Sequence, residues 1–340
     1  MLKTFDQKLA RIRTQPGAKD FILADAKDAD MAFGISAPGK AVNPTGRERL
    51  RSLQEYRQQI REIAAQGLVD IVLMSASTSD RLAGGERLFD QSSVTPAIRA
   101  NDTTDIWLAG AGASYGAAPS SPFRTAALDI ALAIGPDGRR LPERGSVDLG
   151  LYSITLNNHT AHDAFTLSAY REFRMEALKK GFRHFLEVFA PNVGNAVAPD
   201  KIPRFVNDSI ARLLAGVAAA ERPQFLKIPY FGPQWLAELA AYDSELVIGV
   251  LGGSAGTTRD AFQLLADAKQ HGARAALFGR KINFAEHQLT FVRVLRCVAD
   301  SELEPVEAVR LYHAELGKLG LRPHRSLPED LKLTPSTLRY

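Results

Sequence analysis

Residues 244–282 read SELVIGVLGGSAGTTRDAFQLLADAKQHGARAALFGRKI. An apolar run ends in two glycines, Gly252 and Gly253; a helical stretch opens behind two threonines; a second apolar run ends in Gly279 and Arg280. Run, helix and run is the pattern of two parallel strands joined by a crossover helix. The pattern extends backwards through the chain. Further apolar runs fall at FILADAK (21–27), VDIVLMSAS (69–77), TPAIRAND (95–102), VDLGLYSITL (147–156), FRHFLEVFAPN (182–192) and PQFLKIPY (223–230). Eight short strands separated by helical stretches at 47–66, 164–180 and 203–220, among others, predict an α/β fold with parallel pairing and helices outside. Closing them into a (β/α)8 TIM barrel leaves no exposed sheet edge.

The remaining segments decorate this barrel. An amphipathic helix is expected over 2–14, ended by Pro16-Gly17. A Gly/Ala/Pro-rich region over 109–144 has no clear period. The expected organisation is an N-terminal helix (1–17), a barrel (18–300), and a C-terminal helix and tail (301–340). The last twenty residues, with Pro323, Pro328 and Pro335, read as an extended tail or a clamp on a neighbouring subunit.

Composition bounds the function. The 340 residues are 45% apolar, enough for a large core, and 42 Lys plus Arg against 38 Asp plus Glu give a net charge of +4. No basic stripe collects that surplus, so neither a nucleic-acid nor a membrane partner is indicated. The single cysteine, Cys297, excludes an intrachain disulfide and any multi-cysteine metal site. The start MLKTFDQKLARIRTQPG has no apolar core of a leader, and no long apolar run follows, so a cytoplasmic address is expected.

One lysine stands out. In FLKIPY, Lys227 shares a face with Phe225 and Pro229. If that face is the lumen, Lys227 lies where barrel enzymes hold their chemistry, and burial lowers its pKa to give an amine able to attack a carbonyl. Position alone leaves open a lysine whose stem crosses apolar surface to reach solvent. Glu187, in the preceding strand, lies one strand spacing away, about 4.8 Å. It is placed to shuttle protons or to hold Lys227 in an ion pair. At the end of the first strand, Asp25 is the expected proton-transfer or hydroxyl-binding group. Lys27 is a rival amine, but its carboxylate neighbours favour the ammonium, so Lys27 and Asp28 are expected as substrate contacts.

The glycines after strands seven and eight suggest an anion seat. Gly252, Gly253, Ser254 and Gly279 let backbone amides curl around a phosphate, a helix cap at Thr257 or Thr258 adds a helix terminus, and Arg280 adds a guanidinium. GGSAG also satisfies the nucleophile-elbow pattern, but only one strand remains to carry an acid and a histidine. His159, His162 and Asp163 after strand four suit substrate contact, helix capping or a metal site. No second ligand set matches them, so no metal is expected, and His159 enters as a substrate contact. Asn101 after strand three lines the mouth or forms a turn.

The ordered series LADAKD, FLEVF, FLKIPY, VLGGSAG and ALFGRKI, within residues 18–300, resembles the class I (Schiff-base) aldolases of the DeoC/LacD superfamily. The similarity is to the bacterial and archaeal-type fructose-bisphosphate and tagatose-bisphosphate branches. The resemblance implies that Lys227 is the Schiff-base nucleophile, that Glu187 matches the strand-five glutamate of the tagatose branch, and that Asp25 matches the strand-one aspartate. It places the phosphate on Gly252, Gly253, Gly279 and Arg280. Two family features are missing: the fructose branch's strand-five tyrosine, and the tagatose branch's strand-four lysine. The expected activity is metal-independent, cofactor-free cleavage or formation of a carbon–carbon bond in a ketose phosphate or related keto compound by a homo-oligomer. A thiolase-like or retro-Claisen enzyme and a non-catalytic sugar-phosphate sensor are the alternatives.

Overall fold

Each of the eight apolar runs is a strand, and each pairs in parallel with its neighbours until the eighth returns to the first. In the computed structural model, which describes residues 1–15, 17–42, 47–107, 114–253 and 256–339, these are β1 (Ile22–Lys27), β2 (Ile71–Met74), β3 (Thr95–Arg99), β4 (Leu149–Thr155), β5 (Arg183–Phe189), β6 (Leu226–Ile228), β7 (Ile248–Leu251) and β8 (Ala275–Phe278). They form a closed barrel in chain order. The chain is an α/β protein with the (β/α)8 TIM-barrel fold.

Strand parity divides the core in two. Ile22, Ala24, Leu73, Ala97, Leu151, Phe185, Phe225 and Leu277 fill the lumen. Their neighbours along the strands, such as Leu23, Val72, Ile98, Leu186, Ile228 and Phe278, pack outward under the helices. Helix α1 (Thr4–Thr14) closes the bottom: Phe5 and Leu9 join the lumen cluster, and Lys8 lies 2.8 Å from Asp70.

Around the barrel run α2 (Leu53–Gln66), α3 (Thr160–Lys180), α4 (Ile202–Ala215), α5 (Pro233–Tyr242), α6 (Thr258–Gln270), α7 (Gln288–Ala299) and α8 (Pro305–Lys318). Helix α2 starts later than the expected position 47, because a capping box between Ser52 and Glu55 opens it and residues Glu48–Leu50 pair with Lys40–Val42 in a small antiparallel sheet. Helix α8 packs into the shared outer core through Val309, Tyr312 and Leu316. No helix among the described residues is long and apolar enough to cross a membrane.

The tail is tied to the barrel. It folds back over the mouth of its own barrel, where Asp330 accepts a hydrogen bond from Thr258 N (2.7 Å). Thr334 donates from its backbone N (2.8 Å) and its Oγ1 (2.6 Å) to Asp260, and Leu338 is buried.

Candidate active site

The register of the sheet sets four positions side by side: Ser153 pairs with Glu187, Glu187 with Lys227, and Lys227 with Gly249. All four take the lumen parity. Lys227 is 6% exposed, and its Nζ lies 2.6 Å from Glu187 Oε1. The other carboxylate oxygen, Oε2, accepts from Ser153 Oγ at 2.6 Å. Gly249 has no side chain, as its position requires, since a Cβ there would come within 2.5 Å of the Leu226 carbonyl oxygen.

A second cation completes the group. Arg99 of β3 reaches across the lumen, donating from Nη1 to Asp28 Oδ2 (2.9 Å), from Nη2 to Ser153 Oγ (3.3 Å) and from Nε to the Asn101 carbonyl (3.0 Å); Nη1 also lies 4.0 Å from Glu187 Oε2. Burial works against the Arg99 charge, but the carboxylates of Asp28 and Glu187 outweigh it and raise its pKa. Arg99 was not singled out in the sequence. The signal was there: an arginine at the parity of Ala97 in an otherwise apolar strand is the same anomaly as Lys227. It supplies a lumen cation beside Ser153 of β4.

Asp28, Arg99, Glu187 and Lys227 open onto a cavity of about 570 Å³ at the C-terminal ends of the strands. Phe33, Ile106, Phe189, Leu251 and Leu264 make its walls largely apolar, and Pro335, Thr337 and Leu338 of the tail contribute to its lining. Gly252, Gly253, Gly279 and Arg280 also line it. Gly253 takes a positive φ of 75°, and a Cβ on Gly252 would lie 2.4 Å from the Phe278 ring, so both glycines are required by the backbone. Arg280 is exposed and has no ion pair among the described residues. Ser254 lies outside the described residues.

The helix terminus expected to join this anion seat is taken. Thr257 is the cap of α6 and forms a capping box with Asp260. Its backbone N donates to Asp260 Oδ2 (2.8 Å), while Thr258 N donates to Asp330 Oδ1 (2.7 Å). Two carboxylates of the chain itself already meet the helix end, which leaves the glycine turns and Arg280 as the open part of the seat.

Asp25 and Lys27 are not brought to the cavity. All six residues of β1 are buried, so no polar face marks its orientation, and the small side chains Ala24 and Ala26 take the crowded lumen. Asp25 and Lys27 therefore point outward beneath the helices, and Asp28 is the aspartate that reaches the lumen side. Lys27 Nζ donates to Asn283 Oδ1 and to Gln288 Oε1 (2.8 Å), lies 3.4 Å from Asp25 Oδ2 and faces the Tyr56 ring. Burial lowers its pKa, opposed by Asp25. Asn101 is also displaced from its expected role. Fully buried, it donates from Nδ2 to the Ser153 carbonyl (2.8 Å) and accepts from Ser153 N (2.6 Å), fastening β3 to β4 behind the cavity. His159 is exposed and stacks edge-on against His162, while Asp163 accepts from His159 N (3.1 Å) and Asn157 N (2.8 Å), capping α3 away from the cavity. No group of three His, Cys, Asp or Glu side chains among the described residues is arranged to hold a metal ion.

Asp25 predicts a pH effect. Burial raises its pKa to about 6, with the Lys27 ammonium opposing the shift and the Asp28 carboxylate adding to it. An unfolded aspartate titrates near ~3.9, so between about pH 4 and 6 the folded state holds the extra proton, and this residue's contribution makes stability fall as pH rises. The difference amounts to on the order of 3 kcal/mol by pH 7. Asp25→Asn should remove this pH dependence. Chemical denaturation at pH 4.5 and pH 7 checks it: a wild-type minus variant difference that stays constant with pH would refute the assignment.

No protein-family model matches the sequence, and no curated protein matches it. Solved structures do. An archaeal fructose 1,6-bisphosphate aldolase superposes with a TM-score of 0.61 at 17% identity, covering 87% of this chain and 98% of that one. The fold is similar to that of the archaeal aldolases. A second such structure, with the catalytic lysine covalently bound to the carbinolamine intermediate of the substrate, gives a TM-score of 0.60 at 17% identity over 86% of this chain and 98% of that chain. A Corynebacterium glutamicum (Brevibacterium flavum) protein from structural genomics gives 0.56 at 18% identity over 88% and 94%. At these identities the likeness is one of architecture, and the chemistry rests on the side chains in the lumen.

Proposed function

We propose that the chain is a class I aldolase acting on a ketose phosphate or a related keto compound through a Schiff base on Lys227. The observation that carries this reading is the 2.6 Å contact between Lys227 Nζ and Glu187 Oε1 at the edge of a cavity large enough for a sugar phosphate. Glu187 takes a proton from Lys227, whose free amine adds to the ketone carbon to give a carbinolamine. Glu187 then returns the proton to the carbinolamine oxygen, which leaves as water, and a protonated imine remains. A carboxylate, Asp28 or Glu187, removes the proton from the hydroxyl on the far carbon of the bond to be broken. The bond's electron pair flows into the imine, an aldehyde departs, and the resulting enamine is reprotonated and hydrolysed. The covalent steps described need only these side chains and water.

Charge balance supports the substrate class. Lys227 and Arg99 stand against Glu187 and Asp28, so the reacting end faces a site of no net charge and suits a neutral hydroxyketone. Arg280, which has no ion pair among the described residues, lies with the glycine turns and suits the phosphate. The similarity to the archaeal fructose-bisphosphate aldolases points the same way.

Borohydride trapping with candidate ketones, followed by peptide mass mapping, tests the proposal. A reduced adduct on Lys227 is expected. Ligand binding without an adduct would point to a sugar-phosphate sensor, and release of an acid instead of an aldehyde would point to retro-Claisen cleavage. Arg280→Ala should weaken phosphorylated ketones about 10- to 100-fold, the loss of a charge-assisted hydrogen bond, and uncharged ketones by less than about 3-fold. Equal losses for the two ligand types would argue against the anion seat.

A further inference from the structure

Beside the catalytic cavity, and sharing Gly256 and Arg280 with it, lies a second cavity of about 340 Å³ between the exit of β8 and the C-terminal tail. Three cationic side chains line it, Arg280 and Lys281 from the β8 exit and Arg325 from the tail, together with the His324 imidazole and the carboxylates of Glu286 and Asp330. Both carboxylates are already engaged. Glu286 accepts from His324 N (2.7 Å) and Tyr312 Oη (2.9 Å), and Asp330 accepts from Thr258 N (2.7 Å) and lies 2.9 Å from His313 Nε2. Lys281 is fixed as well, its ammonium donating to the carbonyls of Gly256 and Thr257. Arg280 and Arg325 are exposed and have no ion pair among the described residues. Two guanidinium forks therefore face one concave space whose carboxylates are turned to other partners.

We infer that this second cavity binds a phosphate group between Arg280 and Arg325. A guanidinium offers paired N–H donors that match phosphate oxygens, and a phosphate dianion can satisfy both forks, whereas a carboxylate balances only one. Lys281 fits this picture: burial, opposed by Asp330 and aided by Arg325, pushes its ammonium down to about 8, and an adjacent anion favours its charged form. The phosphate has two chemical sources, the far end of a bisphosphorylated substrate or a separate phosphorylated molecule held next to the catalytic cavity. The inference does not depend on imine chemistry at Lys227.

Calorimetric titration of the full chain with inorganic phosphate at constant ionic strength tests it. Two sites are expected, one at the glycine turns and one in the second cavity. Arg325→Glu should raise the dissociation constant of one of them at least about tenfold, and Arg325→Ala should act in the same direction; circular dichroism confirms the fold of each variant. Phosphate binding unaffected by both substitutions overturns the inference. A single site abolished by Arg325→Glu would keep the second cavity and remove the glycine seat, and two sites retained in Lys227→Met would keep it even if no ketone can be trapped. The source follows from competition. If a bisphosphorylated ketose supplies the group, it binds once per chain and Arg325→Glu weakens it at least about tenfold; if a separate molecule does, inorganic phosphate still binds when the catalytic cavity is saturated with a ketose monophosphate.

Discussion

Lys227→Met is expected to abolish the borohydride adduct and to lower turnover by at least about 10⁴-fold, while the far-ultraviolet circular dichroism stays that of the wild type. Methionine matches the apolar stem of lysine out to Cε and lacks only the terminal amine, so it removes the nucleophile while leaving the stem's packing in place. The substitution also takes the nearest cation from Glu187. Breaking a buried ion pair by deleting one partner commonly costs about 3–5 kcal/mol. Here Ser153 Oγ still donates at 2.6 Å and Arg99 remains 4.0 Å away, so the loss of stability should lie at or below the bottom of that range. An adduct or turnover that persists in Lys227→Met would sink the assignment. Lys27 offers no refuge in that event, because it is wholly buried on the far side of β1 and committed to Asn283, Gln288 and Asp25.

What the sequence disclosed and what it hid follow from how each strand is buried. In FLKIPY the lysine is the one charged residue in an apolar run, so its parity with Phe225 could be read directly, and Phe225 does sit in the lumen. In ILADAKD (22–28) the strand is buried on both faces and each parity offers one aspartate, Asp28 in line with Ile22, Ala24 and Ala26 and Asp25 in line with Leu23 and Lys27, so the string alone does not say which reaches the lumen. Packing decides: the lumen accepts Ala24 and Ala26, and the longer side chains go outward to α2 and α7. The Gly252-Gly253 pair was legible because the backbone requires glycine there. The fate of the α6 terminus was not, since the residue that fills it, Asp330, lies 72 positions from Thr258. The start of α2 is legible in the sequence, because Ser52 and Glu55 have the spacing of a capping box.

Glu187→Gln should separate proton transfer from simple anchoring. The amide keeps the size of the carboxylate and can still accept from Ser153, but it cannot take a proton from Lys227, and it turns an N–H donor toward the ammonium. Turnover is expected to fall about 10²- to 10⁴-fold, the usual range for loss of a general acid–base group. Adduct formation should survive at a reduced rate that climbs with rising pH, because solvent or buffer must now remove the proton that Glu187 removes in the wild type. An ion-pair anchor predicts something different: weaker positioning of Lys227, a modest loss of rate, and a pH profile shaped like that of the wild type. If the variant traps ketone within about threefold of the wild-type rate, too small a change for a lost general base, with an unchanged pH profile, then Glu187 only holds Lys227 in place. The proton would then have to leave by another route, and Asp28, the other carboxylate of the lumen quartet, would be the group to replace next.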